Sequence, residues 1–144
     1  MKNNVINNKI NIYNESTNKR LPIKKVKEII NLVFSDYKVN DSTVNLVYCN
    51  DDYIQEINVE YLNHDYATDI ITFTIDEDPY LCEIYISTET AQNNADEYNV
   101  SLKNEILRLA AHGALHIVGY DDNNEQLRKD MRTKEDYYLQ KILG

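Results

Sequence analysis

The segment HGALHIVGYDD, residues 112–122, gathers chemistry that the chain elsewhere avoids. Of three His and three Gly in 144 residues, two of each fall here. His112 and His116 stand four apart. On an α-helix that spacing puts both imidazoles on one face, one turn above the other, where they can converge on a single divalent ion. Gly119 comes three residues later and is a natural helix terminator, because Gly accepts the left-handed conformation at no steric cost. The chain can then reverse and bring Asp122 back to the same ion. Two nitrogens and one carboxylate oxygen with an open fourth position describe a catalytic zinc site, whereas structural sites are usually closed by four ligands. Such an ion lowers the pKa of its bound water to about 7 and polarises a phosphoryl or carbonyl oxygen. It also brings positive charge to a chain whose formal net charge is −9.

The surroundings of the two His favour a site over a chance pair. Gly113 sits in the middle of the predicted helix, where it costs about 1 kcal/mol relative to Ala. That cost makes sense if another element packs closely against the helix there. The flanking Leu109, Ala110, Leu115, Ile117 and Val118 make the helix half-buried, so the imidazoles project into a cleft. The spacing also resembles the metzincin protease pattern H-E-x-x-H-x-x-G-x-x-H. Gly113, however, stands where that scheme needs its Glu general base, and Met131, the candidate for a Met-turn, falls inside a helical pattern.

The elements that must position these residues are legible in the periodicity. Residues 5–13 alternate as a strand, with Ile6, Ile10 and Ile12 on one parity. Pro22 is expected to open a helix whose inward positions are Ile23, Val26, Ile29, Ile30, Val33 and Phe34. TVNLVYC (43–49) is a β-branched strand. Asp51 or Asp52 is expected to cap the following helix, with Ile54, Ile57, Tyr61 and Leu62 as its stripe. DIITFTID (69–76) and LCEIYIS (81–87) read as a hairpin around a turn at Asp78–Pro79. Thr88 is expected to cap a short helix through Tyr98, and Ser101 the helix that carries the two His. The last segment is amphipathic, with Leu127, Met131, Tyr138 and Ile142 inward. The expected fold class is α+β: a single domain over 1–144, with a small mixed sheet of about four strands packed with about five helices.

Composition narrows the function. The hydrophobic content of 42% and charged content of 27% are those of an ordinary globular chain. No apolar run is long enough to span a bilayer and the N-terminus lacks an apolar signal core, so the expected location is cytoplasmic, with no membrane partner. Cys49 and Cys82 are isolated and read as reduced interior residues. The acidic balance argues against nucleic-acid binding through bulk charge. Its distribution is uneven: residues 1–30 carry seven Lys or Arg against Glu15 and Glu28. That segment could touch phosphate, although a solvated face is the simpler explanation of it.

The signature HGALHIVGYDD closely resembles the HGxLHLxGYDH motif of the YbeY family, metal-dependent endoribonucleases of bacterial ribosomal RNA maturation. The likeness extends upstream. INVEYLNHDYATDIITF (57–73) resembles the family's LNxxYRxKDxPTDVLSF through Asn58, Tyr61, Asp65, Thr68, Asp69 and Phe73. CEIYIS (82–87) resembles its GDIxIS strand, and SLKNEILRLAAHG resembles the helix leading into the motif. The resemblance covers roughly residues 40–125. It implies that His112 and His116 are metal ligands and that Asp122 stands where the family's third His stands. A carboxylate there makes bound water less acidic than three imidazoles would. Asp121, matching the Asp of GYD, holds the turn behind the ligands or replaces Asp122 as ligand. The family's Arg after the Tyr is here Leu62, which cannot hold phosphate. His64 and Arg108 are candidates to replace it, with Thr68 and Asp69 also facing substrate. The implied activity is hydrolytic cleavage of single-stranded or ribosomal RNA with one Zn2+ ion, or another divalent metal, and with the ribosomal small subunit as partner. A zinc metalloprotease-like hydrolase and a non-catalytic metal-holding ribosome-maturation factor are the alternatives.

Overall fold

Two periodicities, two residues in the strands and 3.6 in the helices, direct the large aliphatic side chains onto the two faces of one sheet. The computed structural model describes residues 7–144. The elements run β1 (Lys9–Asn14), α1 (Lys24–Asp36), β2 (Thr43–Cys49), α2 (Asp51–Leu62), β3 (Ile70–Glu77), β4 (Tyr80–Ser87), α3 (Thr88–Tyr98), α4 (Leu102–Ile117) and α5 (Glu125–Leu143). The sheet order is β1-β2-β4-β3. β1, β2 and β4 are parallel, and β3 pairs antiparallel with β4 across the Asp78–Pro79 turn. The α+β expectation holds. The early end of the first expected strand, with Ile6, lies outside the described residues.

The main core lies on one face. Val44, Leu46 and Tyr48 of β2 and Cys82, Ile84 and Ile86 of β4 point there, against α1 and α4, with Met131, Tyr138 and Leu139 of α5 closing the far side. The opposite face holds a small cluster of Cys49, Ile54 and Ile71, packed with Ile57, Phe73 and Tyr85 and covered by α2. Both cysteines are buried and free.

Several expected boundaries move, each for a local reason. α1 begins at Lys24, not at Pro22; the Pro22 carbonyl instead accepts a hydrogen bond from the buried Tyr48 hydroxyl. Asn50, rather than Asp51 or Asp52, is the N-cap residue of α2. Asp51 lies in the first turn, where its charge suits the helix dipole, and accepts hydrogen bonds from Ser87 Oγ and Thr90 Oγ1 at 2.6 Å each. Ser87 caps α3 in place of Thr88, which donates to the Cys49 carbonyl. The α2 stripe is narrower than its spacing suggests, because the second cluster is small. Ile54 and Asn58 are buried, while Tyr61 and Leu62 are exposed. Asn58 donates to the Tyr66 carbonyl at 3.0 Å and so pins the loop that leads into β3. Ser101 caps α4 as expected, accepting from the Asn104 amide at 3.0 Å.

Gly113 explains how α4 lies on the sheet. A Cβ built there would come within 3.1 Å of Ile70 Cδ1, 3.2 Å of Thr72 Cγ2 and 3.4 Å of Ile84 Cδ1. The helix pays the Gly propensity cost so that its backbone can approach β3 and β4 this closely. Replacing Gly113 with Val, which adds two methyls beyond that Cβ, is expected to destabilise the protein by about 1–3 kcal/mol through overpacking. Urea unfolding checks this; an unchanged midpoint would mean that α4 does not sit as described.

Candidate metal centre

α4 ends just past its second His. The Gly119 amide donates to the His116 carbonyl, and the Tyr120 amide donates to the Leu115 carbonyl, both at 3.0 Å. Gly119 has φ +111°. This paired bonding around a left-handed residue is a Schellman motif, which satisfies the last helix carbonyls and reverses the chain. Asn124 then caps α5 by accepting from the Leu127 amide at 2.8 Å. The reversal is what returns Asp122 to the helix face it has just left.

His112, His116 and Asp122 each turn one donor atom to a common point, all within 4.8 Å of one another. The two Nε2 atoms are 3.0 Å apart. Asp122 Oδ2 lies 3.4 Å from His112 Nε2 and 3.6 Å from His116 Nε2. Ligands held at zinc distances in tetrahedral geometry are separated by about 3.3 Å, so the donor set fits one ion. Asp121 is exposed and stands outside the trio.

The residue that sequence reading missed is Glu135. Its Oε2 lies 2.7 Å from His112 Nδ1. That contact keeps a proton on Nδ1 and leaves Nε2 free to accept a metal, the arrangement that usually supports a metal-binding His. Glu135 is buried, with its other oxygen 3.0 Å from Arg108 NH1. Arg108 NH2 reaches Asp136 at 2.7 Å. Arg108, expected to meet substrate, is thus engaged by two carboxylates of α5. A signal for Glu135 was present: it stands four residues after Met131 and three before Tyr138, a carboxylate on the inward row of an amphipathic helix.

Two clefts meet at the trio. One, of about 370 Å³, is lined by Leu62, His64, Tyr66, Thr68, Asp69 and all three donor residues. In it the His64 and Tyr66 rings stack, 5.4 Å apart and 12° from parallel. The other, of about 270 Å³, includes Asp69, Glu105, Arg108, His112, Asp122 and Glu135. Asp69 lies in both, and its Oδ2 accepts from Asn94 at 3.1 Å. The basic N-terminal stretch gathers elsewhere: Lys19, Arg20, Lys24 and Lys25 line a separate cleft with Lys103.

The family model described as endoribonuclease YbeY matches residues 7–143. The chain belongs to the endoribonuclease YbeY family. Among its relatives, the endoribonuclease YbeY of Chloroherpeton thalassium is 37% identical over 129 residues, covering 89% of this chain and 92% of that one. That of Chlorobaculum parvum is 38% identical over 136 residues, covering 94% and 96%. The solution structure of TM1509 from Thermotoga maritima superposes with a TM-score of 0.68 at 30% identity, covering 92% and 88%. YbeY proteins are metal-dependent, and the trio is where this member can hold its ion.

Burial by itself would lower the His112 pKa. The hydrogen bond and charge of Glu135, with the charges of Asp122 and Asp69, outweigh it and hold the imidazole above its ordinary 6.5. A folded pKa above the unfolded one gives stability that is complete below the unfolded value and is lost as pH rises through the folded one. The proton removed in that window is the one on Nε2, which a metal must displace. Zinc affinity is therefore expected to rise with pH through this window and then level off; a flat zinc titration across it would contradict the assignment. Glu135→Gln is expected to weaken zinc binding by about tenfold or more. Offered zinc and then freed of excess, wild type and Asp121→Ala are expected to retain about one ion by elemental analysis and Asp122→Ala much less; equal loss from both variants would contradict a ligand role for Asp122.

Proposed function

We propose that this YbeY-family protein is a single-strand-specific endoribonuclease of ribosomal RNA maturation and small-subunit quality control. In this reading residues 1–144 form one hydrolase domain, work in the cytoplasm and hold one zinc ion. The observation that carries it is the convergence of His112, His116 and Asp122 at the junction of two open clefts, with His112 oriented by Glu135. Among the described residues no helix is long and apolar enough to cross a membrane.

Bound at these three residues, zinc supplies a Lewis acid for a phosphoryl oxygen and an acidified water. The chain's own groups supply the geometry. Glu135 and Arg108 lock the His112 ring, and the Schellman turn holds Asp122 against both imidazoles. Thr68 and Asp69 form the wall of the cleft beside the donors, where an RNA strand enters. His64, stacked on the exposed Tyr66, offers a flat aromatic surface that suits an unpaired base and not a base inside a duplex. Arg108 contributes to substrate binding by fixing the wall of the adjacent cleft. The small subunit delivers the RNA, which offsets the weak intrinsic binding of an acidic protein.

The metalloprotease-like alternative is disfavoured by a specific contact. Its Glu would occupy position 113, where even a Cβ crowds Ile70 and Thr72.

Zinc-loaded protein is expected to cut labelled single-stranded RNA in preference to the same sequence in a duplex. His116→Ala should slow this by more than about a hundredfold, since loss of a mere outer support already costs 10–100-fold. Equal cutting by both proteins would assign the cleavage to another site or to a contaminant. Binding of RNA without any cutting would favour the non-catalytic maturation factor.

A further inference from the structure

The cleft beside Glu135 has a feature the nuclease reading leaves unexplained. Besides Arg108, its lining includes Arg128 and Arg132. These stand four apart on α5, so they share a face. Like charges at that spacing disfavour a helix, and among the described residues neither Arg forms an ion pair with a carboxylate. Both are exposed. Arg128 NH1 donates to the Asp122 carbonyl at 3.3 Å, which places it directly beside the third metal-ligand residue. The Arg132 guanidinium lies 5.8 Å over the Tyr98 ring, and that ring is half exposed. A guanidinium stacked this way keeps its N–H edge available for a phosphate fork.

We infer that Arg128 and Arg132 hold the phosphate backbone of the RNA strand on the α5 side of the metal centre, replacing the cation that Leu62 does not supply. The inference rests on the endoribonuclease reading. The acidic groups of the same cleft do not oppose it. Arg108 pairs with both Glu135 and Asp136, and the other Glu135 oxygen is taken by His112 Nδ1. Asp122 faces the ion site, and Asp69 is hydrogen-bonded by Asn94. Burial holds the Glu105 carboxyl above its ordinary pKa, and its Oε2 accepts from Asn94 at 3.3 Å. The two sides of the trio thereby differ in kind. The α2–β3 side offers aromatic surface at His64 and Tyr66, which takes a base. The α5 side offers two cations, which take phosphates. Such a division also sets which way a strand can lie across the ion.

The test is the salt dependence of binding, followed by fluorescence anisotropy of labelled oligouridine with zinc-loaded protein. Each phosphate contact in a single strand contributes about 0.7 to the slope of log affinity against log salt. Arg128→Gln and Arg132→Gln should each make the slope shallower by about that amount, and the double variant by about 1.4. Arg→Lys at both positions should recover most of the slope. Lys129→Gln removes the same charge one position off the cleft and should leave the slope as in wild type. In cleavage assays the double Gln variant should raise KM by a larger factor than it lowers kcat. A wild-type slope in the double variant would overturn the inference, as would an equal loss of slope in Lys129→Gln. Loss of zinc from the double variant would also overturn it, by showing that the pair supports the Asp122 turn. If zinc-loaded wild type neither binds nor cuts the RNA, the endoribonuclease reading itself fails, and this inference with it.

Discussion

The hydrogen bond between His112 Nδ1 and Glu135 Oε2, 2.7 Å long, joins the two helices on which the candidate site depends. It does so from a buried position, where an unpaired carboxylate would be costly. Arg108 makes the position tenable by meeting the other oxygen. The result is a chain of contacts from Asp136 through Arg108 and Glu135 to His112, which docks α5 on α4 and sets the ring angle of His112. Folding and site formation are therefore coupled: the helix packing that buries Met131, Tyr138 and Leu139 also delivers the group that orients His112.

Two backbone features serve the same end. Gly113 lets α4 settle onto β3 and β4, which brings Asp69 and Ile70 to the edge of the trio. Gly119 turns the chain so that Asp122 returns. One glycine is required by close approach and the other by a positive φ. Their presence beside the two His in so glycine-poor a chain has a physical explanation at each position.

The net charge of −9 is not spread evenly over the working surface. Glu135 and Asp136 are tied to Arg108, Asp69 and Glu105 accept from the Asn94 amide, and Asp122 faces the two imidazoles. The paired arginines of α5 stand at its rim, and the aromatic pair His64–Tyr66 stands across from them. An acidic protein can thus present RNA with a surface that is locally neither acidic nor uniform. Delivery by a larger partner is consistent with a site of this limited extent.

Much of this was legible in the sequence alone. The i, i+4 spacing of His112 and His116, the terminator at Gly119 and the return of Asp122 are local properties, governed by helix geometry over eleven residues. The strand parities and helical stripes likewise follow from short-range periodicity, which is why the α+β class and nearly every element were predictable. Tertiary structure decided the rest. Glu135 lies 23 residues from His112, and only the docking of α5 brings it to the ring. That docking also pairs Arg108 with two carboxylates of α5, 27 and 28 residues away. Tyr61 and Leu62 fitted a helical stripe, yet they are exposed because the cluster beneath α2 is too small to cover them. Spacing along a chain reports what one helix can present. Which neighbour meets it is set by packing between elements distant in sequence.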